Sequence, residues 1–404
     1  MKKIPVIMLM LAFWHARAEA QSLAECIQAA HENNTELKIA ELQVQRARRM
    51  EGSYFEMEKT ELTLSQDPTS GGSPDNSLTL SQRFDFPTVY STRRRLLKAE
   101  TRVEEGRRRL TGSELTRDVS VAYCTLLLWQ HIERLLLKND SVLDAFVHTA
   151  RTRMENGETS RLELLNAERM KAENDTRTRE ARSEKTQAAL LLAILMNTSE
   201  KVVATDDYQC IQKEDGAWSF AATPQGSLSE YELARSERAL GYTRQGMMPS
   251  FNIGLRHQLV LPGINPYGVD RSRFGKGNWM GFEAGVAFPL FYGSQRAKKN
   301  AAKKDVDIAR QRMQQAESKT KAELLMAENA VETARQSYDC YLAEGLPAAA
   351  EMRRLSCAEY RAGEISSQEH IQNLGAALDI EMGYAKATDA LNQAIICLNF
   401  IKGQ

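Results

Sequence analysis

Apolar positions recur every three to four residues over most of the chain, but the period falls to two in four stretches. Leu62 and Leu64 alternate with Glu61, Thr63 and Ser65, and Leu78, Leu80, Phe84 and Phe86 alternate with Ser77, Thr79, Ser81, Arg83 and Asp85. Phe251, Ile253, Leu255, His257 and Leu259 repeat the pattern, as do Met280, Phe282, Ala284, Val286 and Phe288 against Gly281, Glu283, Gly285 and Ala287. Period two predicts strands, each with one large apolar face, arranged as β-hairpins at about 60–86 and 250–288 around loops at 67–76 and 262–278. Pro87 and Pro289 end the second and fourth strands, because proline cannot continue a ladder.

The remaining pattern is helical. Ser22 to Met57 reads as two helices broken at Asn33-Asn34. Tyr90 to Glu155 contains no proline, and a helix of ~65 residues extends on the order of 100 Å. Asn156-Gly157 closes it, and a helix from Ser160 to Met196 returns, glycine being the usual residue just past a helix end. After an irregular 197–225, the order repeats: a helix from Leu228 to Gly246, the second hairpin, one long helix from Ser294 to Arg361, a turn at Gly363 and a returning helix from Ser366 to Asn399. Aligning Pro87 with Pro289 also sets Phe86 over Phe288 and Tyr90 over Tyr292. The chain therefore reads as an internal duplication, with 21–225 as the first repeat and 226–404 as the second.

Composition agrees with long helices: 26% charged residues, 10 prolines and zero formal net charge over 404 residues. A neutral chain gives no reason to expect nucleic acid, and Arg93–Arg95 and Arg107–Arg109 read as solvated helix faces. Lys2 and Lys3, the apolar run Ile4–Trp14 and Ala18-Glu19-Ala20 form an export signal over 1–20, with the mature chain starting near Gln21. Glu25 in front of Cys26 argues against a lipid anchor. The six cysteines show no CxxC or metal-ligand spacing and read as small buried helix residues. His15, His31, His131, His148, His257 and His370 are dispersed, and Gly275-Lys276-Gly277 lacks the spacing of a phosphate loop. No enzyme, cofactor or metal site is expected.

No later segment approaches the ~18 to 20 apolar residues of a membrane helix. An exported chain with four amphipathic strands can cross a bilayer only as part of a closed barrel, with Glu61, Arg83, Asp85, Arg256 and Glu283 on its wet side. Four strands are too few, since the smallest membrane barrels have about eight, so several copies must associate. The alternative, a periplasmic coiled-coil scaffold or adaptor without channel activity, explains the helices and leaves the strands without a role.

The duplication, the Phe-Pro strand exits, the opening helix SLAECIQAAHENN and two tip sequences, RMENGETSRLELLNAE (Arg153–Glu168) and YRAGEISSQEHIQNL (Tyr360–Leu374), resemble the TolC-like outer membrane efflux proteins. The resemblance covers essentially the whole mature chain. It implies a mainly α fold with a membrane β-barrel portion: long antiparallel helical hairpins forming a periplasmic α-barrel, and four strands per chain entering a twelve-stranded barrel of a homotrimer. It further implies an outer membrane location in a Gram-negative bacterium, and an exit duct for tripartite efflux or type I secretion. Its partners would be a periplasmic adaptor, an inner-membrane pump of RND or ABC type and outer membrane lipid. Drug, metal ion and protein cargo remain open. Gly157 and Gly363, with Glu158 and Glu364 beside them, would face the adaptor. Glu369 would line a gate, Tyr360 and Glu163 would hold it closed, and Gln372 stands where a second acid is usual. Ile365 replaces a common basic residue, Met154 an aromatic, and Thr60 a proline that the second half keeps as Pro249. Pro87, Tyr90, Pro289 and Tyr292 would mark the passage from barrel to helix.

Overall fold

The computed structural model describes residues 20–67, 75–200, 202–212, 216–259 and 279–403. Nearly all of the expected export signal, most of both hairpin loops and Gly275–Gly277 lie outside the described residues. In chain order the elements are β1 (Ala20–Gln21), α1 (Leu23–Asn33), α2 (Thr35–Glu51), β2 (Glu61–Asp67), β3 (Asp75–Asp85), α3 (Pro87–Glu155) and α4 (Arg161–Leu195). There follow β4 (Val203–Ala204), α5 (Pro224–Arg244), β5 (Ser250–Leu259), β6 (Trp279–Ala287), α6 (Gly293–Cys340), α7 (Leu346–Ala362) and α8 (Ser367–Lys402). The described residues form two compact units, one drawn from within 1–39, 109–223 and 318–404, the other from within 40–108 and 224–317. Each unit draws on both sequence repeats.

The first unit is helical and is held by apolar seams. Cys26 and Ala30 of α1 pack with Leu115, Val119, Tyr123 and Leu126 of α3 and Leu192 of α4. Leu324 and Val331 of α6 pack with Leu391, Ile395 and Leu398 of α8. The break at Asn34 is built by that residue's own amide. Its Oδ1 accepts from the backbone N–H groups of Glu36 and Leu37 at 2.9 and 3.1 Å, and its Nδ2 donates to the Leu195 carbonyl at 2.9 Å. One side chain thus caps α2 and satisfies the end of α4.

Two expectations for this unit are corrected. The helix expected over 294–361 is interrupted by a π-turn at Tyr341–Gly345, between α6 and α7. Pro347 sits in the first turn of α7 and has no N–H to continue an α ladder. The wider turn absorbs that loss, and the ring of Tyr341 lies where a Cβ on Gly383 of α8 would stand, 2.7 Å from the hydroxyl. Segment 197–225, read as irregular, is partly ordered: β4 pairs in parallel with β1. It is tied to α8 by Ile211 N–H donating to Asn392 Oδ1 at 2.7 Å and Asn392 Nδ2 donating to the Gln209 carbonyl at 3.0 Å. The cysteines also depart from expectation. All six are free, Cys26 and Cys124 are buried, and Cys340 and Cys397 are exposed.

The second unit carries a four-stranded antiparallel sheet in the order β2-β3-β5-β6. The two hairpins expected from the sequence are both present and are joined through β3 and β5. Among the described residues nothing pairs with the outer edges of β2 and β6.

Candidate functional site

The sheet separates its two faces as the alternation requires. Leu62, Leu80, Leu255 and Phe282 stand in one row across the four strands, and Leu64, Leu78, His257 and Met280 in the next. The intervening rows hold Glu61, Ser81, Gly254 and Glu283, then Thr63, Thr79, Arg256 and Gly281. Gln82 interrupts the apolar face, but its amide is occupied. It accepts from Thr60 Oγ1 at 2.6 Å and donates to the Glu58 carbonyl at 2.7 Å. Leu78 is half-buried, and half-buried His257 is a second polar residue on this face. The other six of these eight row residues are open to solvent, from Leu80 at 44% to Phe282 at 84%. Each such side chain would be more stable by roughly 1.5–3 kcal/mol in an apolar setting, so this face is made for a non-aqueous neighbour.

The two strand exits are built differently. At the first, Pro87 is itself the first residue of α3, a position where its fixed φ and missing N–H cost nothing. The Tyr90 hydroxyl accepts from the Asp85 backbone N–H at 2.9 Å, and its ring packs on Phe55 at 4.8 Å. At the second, Phe288 to Tyr292 forms neither strand nor helix before α6 begins at Gly293. Phe288, Leu290, Phe291 and Tyr292 are all exposed there.

The first unit contains both hairpin tips. Gly157 and Gly363 adopt φ of +74° and +77°, the left-handed region that glycine enters without steric cost. Each tip closes with the same pair of backbone bonds: Gly157 to Met154 and Glu158 to Arg153 at the first, Gly363 to Tyr360 and Glu364 to Glu359 at the second. This is the Schellman arrangement. Gly157, Glu158, Gly363, Glu364, Glu369 and Gln372 are all exposed.

Behind the glycines the tips share a buried cluster. Tyr360, only 4% exposed, donates from its hydroxyl to Glu163 Oε1 at 2.7 Å. Its ring lies flat on that of His370 at 4.6 Å, Phe146 meets both rings edge-on, and the Arg153 guanidinium sits 5.5 Å from the Tyr360 centroid. Thr159 Oγ1 donates to the other oxygen of Glu163, and His370 Nδ1 pairs with Ser356 Oγ at 2.7 Å. Burial, followed by the bond to Glu163, pushes the Tyr360 hydroxyl up to about 12. Burial holds His370 below the ordinary histidine value, with the charge of Arg361 acting in the same direction.

Glu369 has a different role. It closes a capping box with Ser366, accepting from the Ser366 N–H at 2.9 Å while Ser366 Oγ accepts from the Glu369 N–H at 3.2 Å. The Ser366 backbone N–H, then its hydroxyl, keep this carboxyl below the usual range. Of the four sequence-derived gate residues, Tyr360 and Glu163 meet, while within one chain Glu369 and Gln372 do not join them. The partners His370, Ser356 and Phe146 went unread in the sequence. His370 follows Glu369 directly, and its place on the apolar side of α8 was the available signal.

No protein-family model and no curated relative matches this chain. Solved structures do match. The CusC structure, described in terms of transmembrane channel formation, superposes with a TM-score of 0.79 at 17% identity over 95% of this chain and 92% of that one. The Campylobacter jejuni CmeC outer membrane channel gives 0.75 at 17% over 94% and 85%. The open state of the Neisseria gonorrhoeae MtrE outer membrane channel gives 0.77 at 17% over 94% and 88%. Likeness at this identity speaks to fold, and the fold of this chain is that of the outer membrane channels its strand exits and tip sequences resemble.

Proposed function

We propose that this chain is the outer membrane exit duct of a tripartite efflux or type I secretion system, a passive conduit gated at its helical tips. The observation that carries the reading is the sheet. Four strands with a largely exposed apolar face are unfavourable in water, and edges such as those of β2 and β6, unpaired among the described residues, are not tolerated in hydrocarbon. Association of three copies, β2 of each beside β6 of the next, closes twelve strands with the apolar rows facing lipid and Glu61, Arg256 and Glu283 facing water. Exposed Phe288, Phe291 and Tyr292 then fit the aromatic belt at the membrane boundary. A scaffold or adaptor without a channel would leave this face uncovered.

In the helical unit, the Tyr360 to Glu163 bond ties the α7–α8 tip to the α3–α4 tip, and we assign it to the closed state. Glu369, kept ionised by its cap and exposed, is suited to lining a constriction, and three copies would form an acidic ring there. Gly157, Glu158, Gly363 and Glu364, at the exposed apices, are the surfaces offered to a periplasmic adaptor, and through it to an inner-membrane pump that selects the cargo. Planar-bilayer recording of the purified protein tests the reading. Low conductance that rises in Tyr360→Phe supports it, whereas protein that remains in aqueous solution without detergent and gives no conductance refutes it.

A further inference from the structure

In the second unit α3 and α5 flank an open cavity of about 340 Å³ lined by Arg95, Lys98, Ala99 and Arg102 from α3 and Tyr231, Ala234 and Arg238 from α5. No acidic side chain lines it. Nearby arginines on the same helix are occupied: Arg93 by Glu56, Arg94 over the ring of Tyr54, Arg107 by Glu104 and Glu232, and Arg108 by Glu41. Arg95, Lys98, Arg102 and Arg238 have no ion pair or hydrogen bond among the described residues. Spacing of three and four residues puts the α3 cations on one face, where like charges repel by a few tenths of a kcal/mol per pair. At physiological salt the screening length is about 8 Å, so the four charges act together over the cavity.

The duplication supplies an internal control. In the second repeat Arg95 corresponds to Ala297, Lys98 to Asn300 and Arg102 to Lys304. The long-helix scaffold therefore does not require the cluster, and one repeat has it while the other does not.

We propose that this cavity binds a soluble oligoanion bearing two or more phosphate or carboxylate groups. Three guanidinium forks suit such groups because each can donate two parallel hydrogen bonds, and Tyr231 adds a hydroxyl donor. The alternative source of phosphate is a lipid headgroup. On the channel reading, Arg95 lies about 12 Å and Arg102 about 22 Å along α3 from the exit at Pro87, while the headgroup layer extends only about 5–7 Å beyond the hydrocarbon. A headgroup can approach Arg95 but cannot span the site, which favours the soluble ligand. The binding itself does not depend on the channel reading.

The test is isothermal titration of the full mature protein in neutral detergent with sodium tripolyphosphate at low ionic strength, beside a titration with short-chain phosphatidylglycerol. We expect saturable tripolyphosphate binding that weakens about tenfold or more in Arg95→Gln/Arg102→Gln and in Arg238→Gln, and is unchanged in Arg296→Gln of the second repeat. All these positions are exposed, where substitution usually shifts stability by less than about 0.5 kcal/mol, and a thermal melt checks each variant. Absence of tripolyphosphate binding, equal binding by wild type and the cavity variants, or binding of phosphatidylglycerol alone each overturns the proposal.

Discussion

The two hairpin tips begin from nearly the same local sequence and use it differently. Ser160-x-x-Glu163 and Ser366-x-x-Glu369 both carry the capping-box signature, and both follow a left-handed glycine. At the second tip the box closes. At the first, Ser160 makes no side-chain cap bond, and Glu163 turns to the hydroxyls of Tyr360 and Thr159. A local motif thus serves local helix stability in one place and a tie between two hairpins in the other. What decides is the neighbour: a buried phenol lies within reach of Glu163, while Glu369 faces solvent.

The largest effect expected from this contrast is at Glu163. Glu163→Ala leaves the Tyr360 hydroxyl buried without its acceptor, a loss of about 1–3 kcal/mol. Hydrogen exchange across α7 and α8 should speed up near the tip and bilayer conductance should rise. The double variant Glu163→Ala/Tyr360→Phe removes both partners and should recover part of the stability. If it loses as much as the two single changes added together, the bond is not the tie. Next, Gly157→Ala and Gly363→Ala should each cost about 1–2 kcal/mol, because alanine is strained in the left-handed region. Nearly equal losses in thermal melts would match the equal geometry of the two turns.

Smaller still is Glu369→Ala. Its loss should be smaller than that of either glycine and confined to exchange in the first turn of α8, where the capping box opens, leaving the Tyr360 cluster intact. A change as broad as that of Glu163→Ala would erase the distinction between the tips. The smallest effect at neutral pH is that of His370. Its folded value is depressed by burial, so the unfolded chain takes up the proton first. The stability it contributes is complete above the unfolded value of about 6.5 and is lost as pH falls below it. Tip exchange should accelerate in mild acid, and His370→Gln should flatten that dependence; an unaltered acid response would assign it to another group.

Much of the fold was legible because its periods are long and regular. Alternation in Leu62 to Ser65 and Met280 to Phe288 marked the strands, and Gly157 and Gly363 marked the turns. The π-turn was missed because its signal is one proline, Pro347, within a run whose other residues favour a helix. The β1–β4 pair was missed because two residues have no period. At the candidate site, Tyr360 and Glu163 were named by resemblance and the structure brings them together. His370 and Ser356 escaped because a histidine beside an acid at a helix start reads as solvated unless the packing of Phe146 against it is known.

Native mass spectrometry of the detergent-extracted protein tests the proposed trimer, in which the edges of β2 and β6 that are unpaired among the described residues are closed by two further copies. The expected result is a particle of three mature chains that survives in detergent and does not form in its absence. A monodisperse single chain in plain aqueous buffer, with the amides of β2 and β6 exchanging freely, would contradict it.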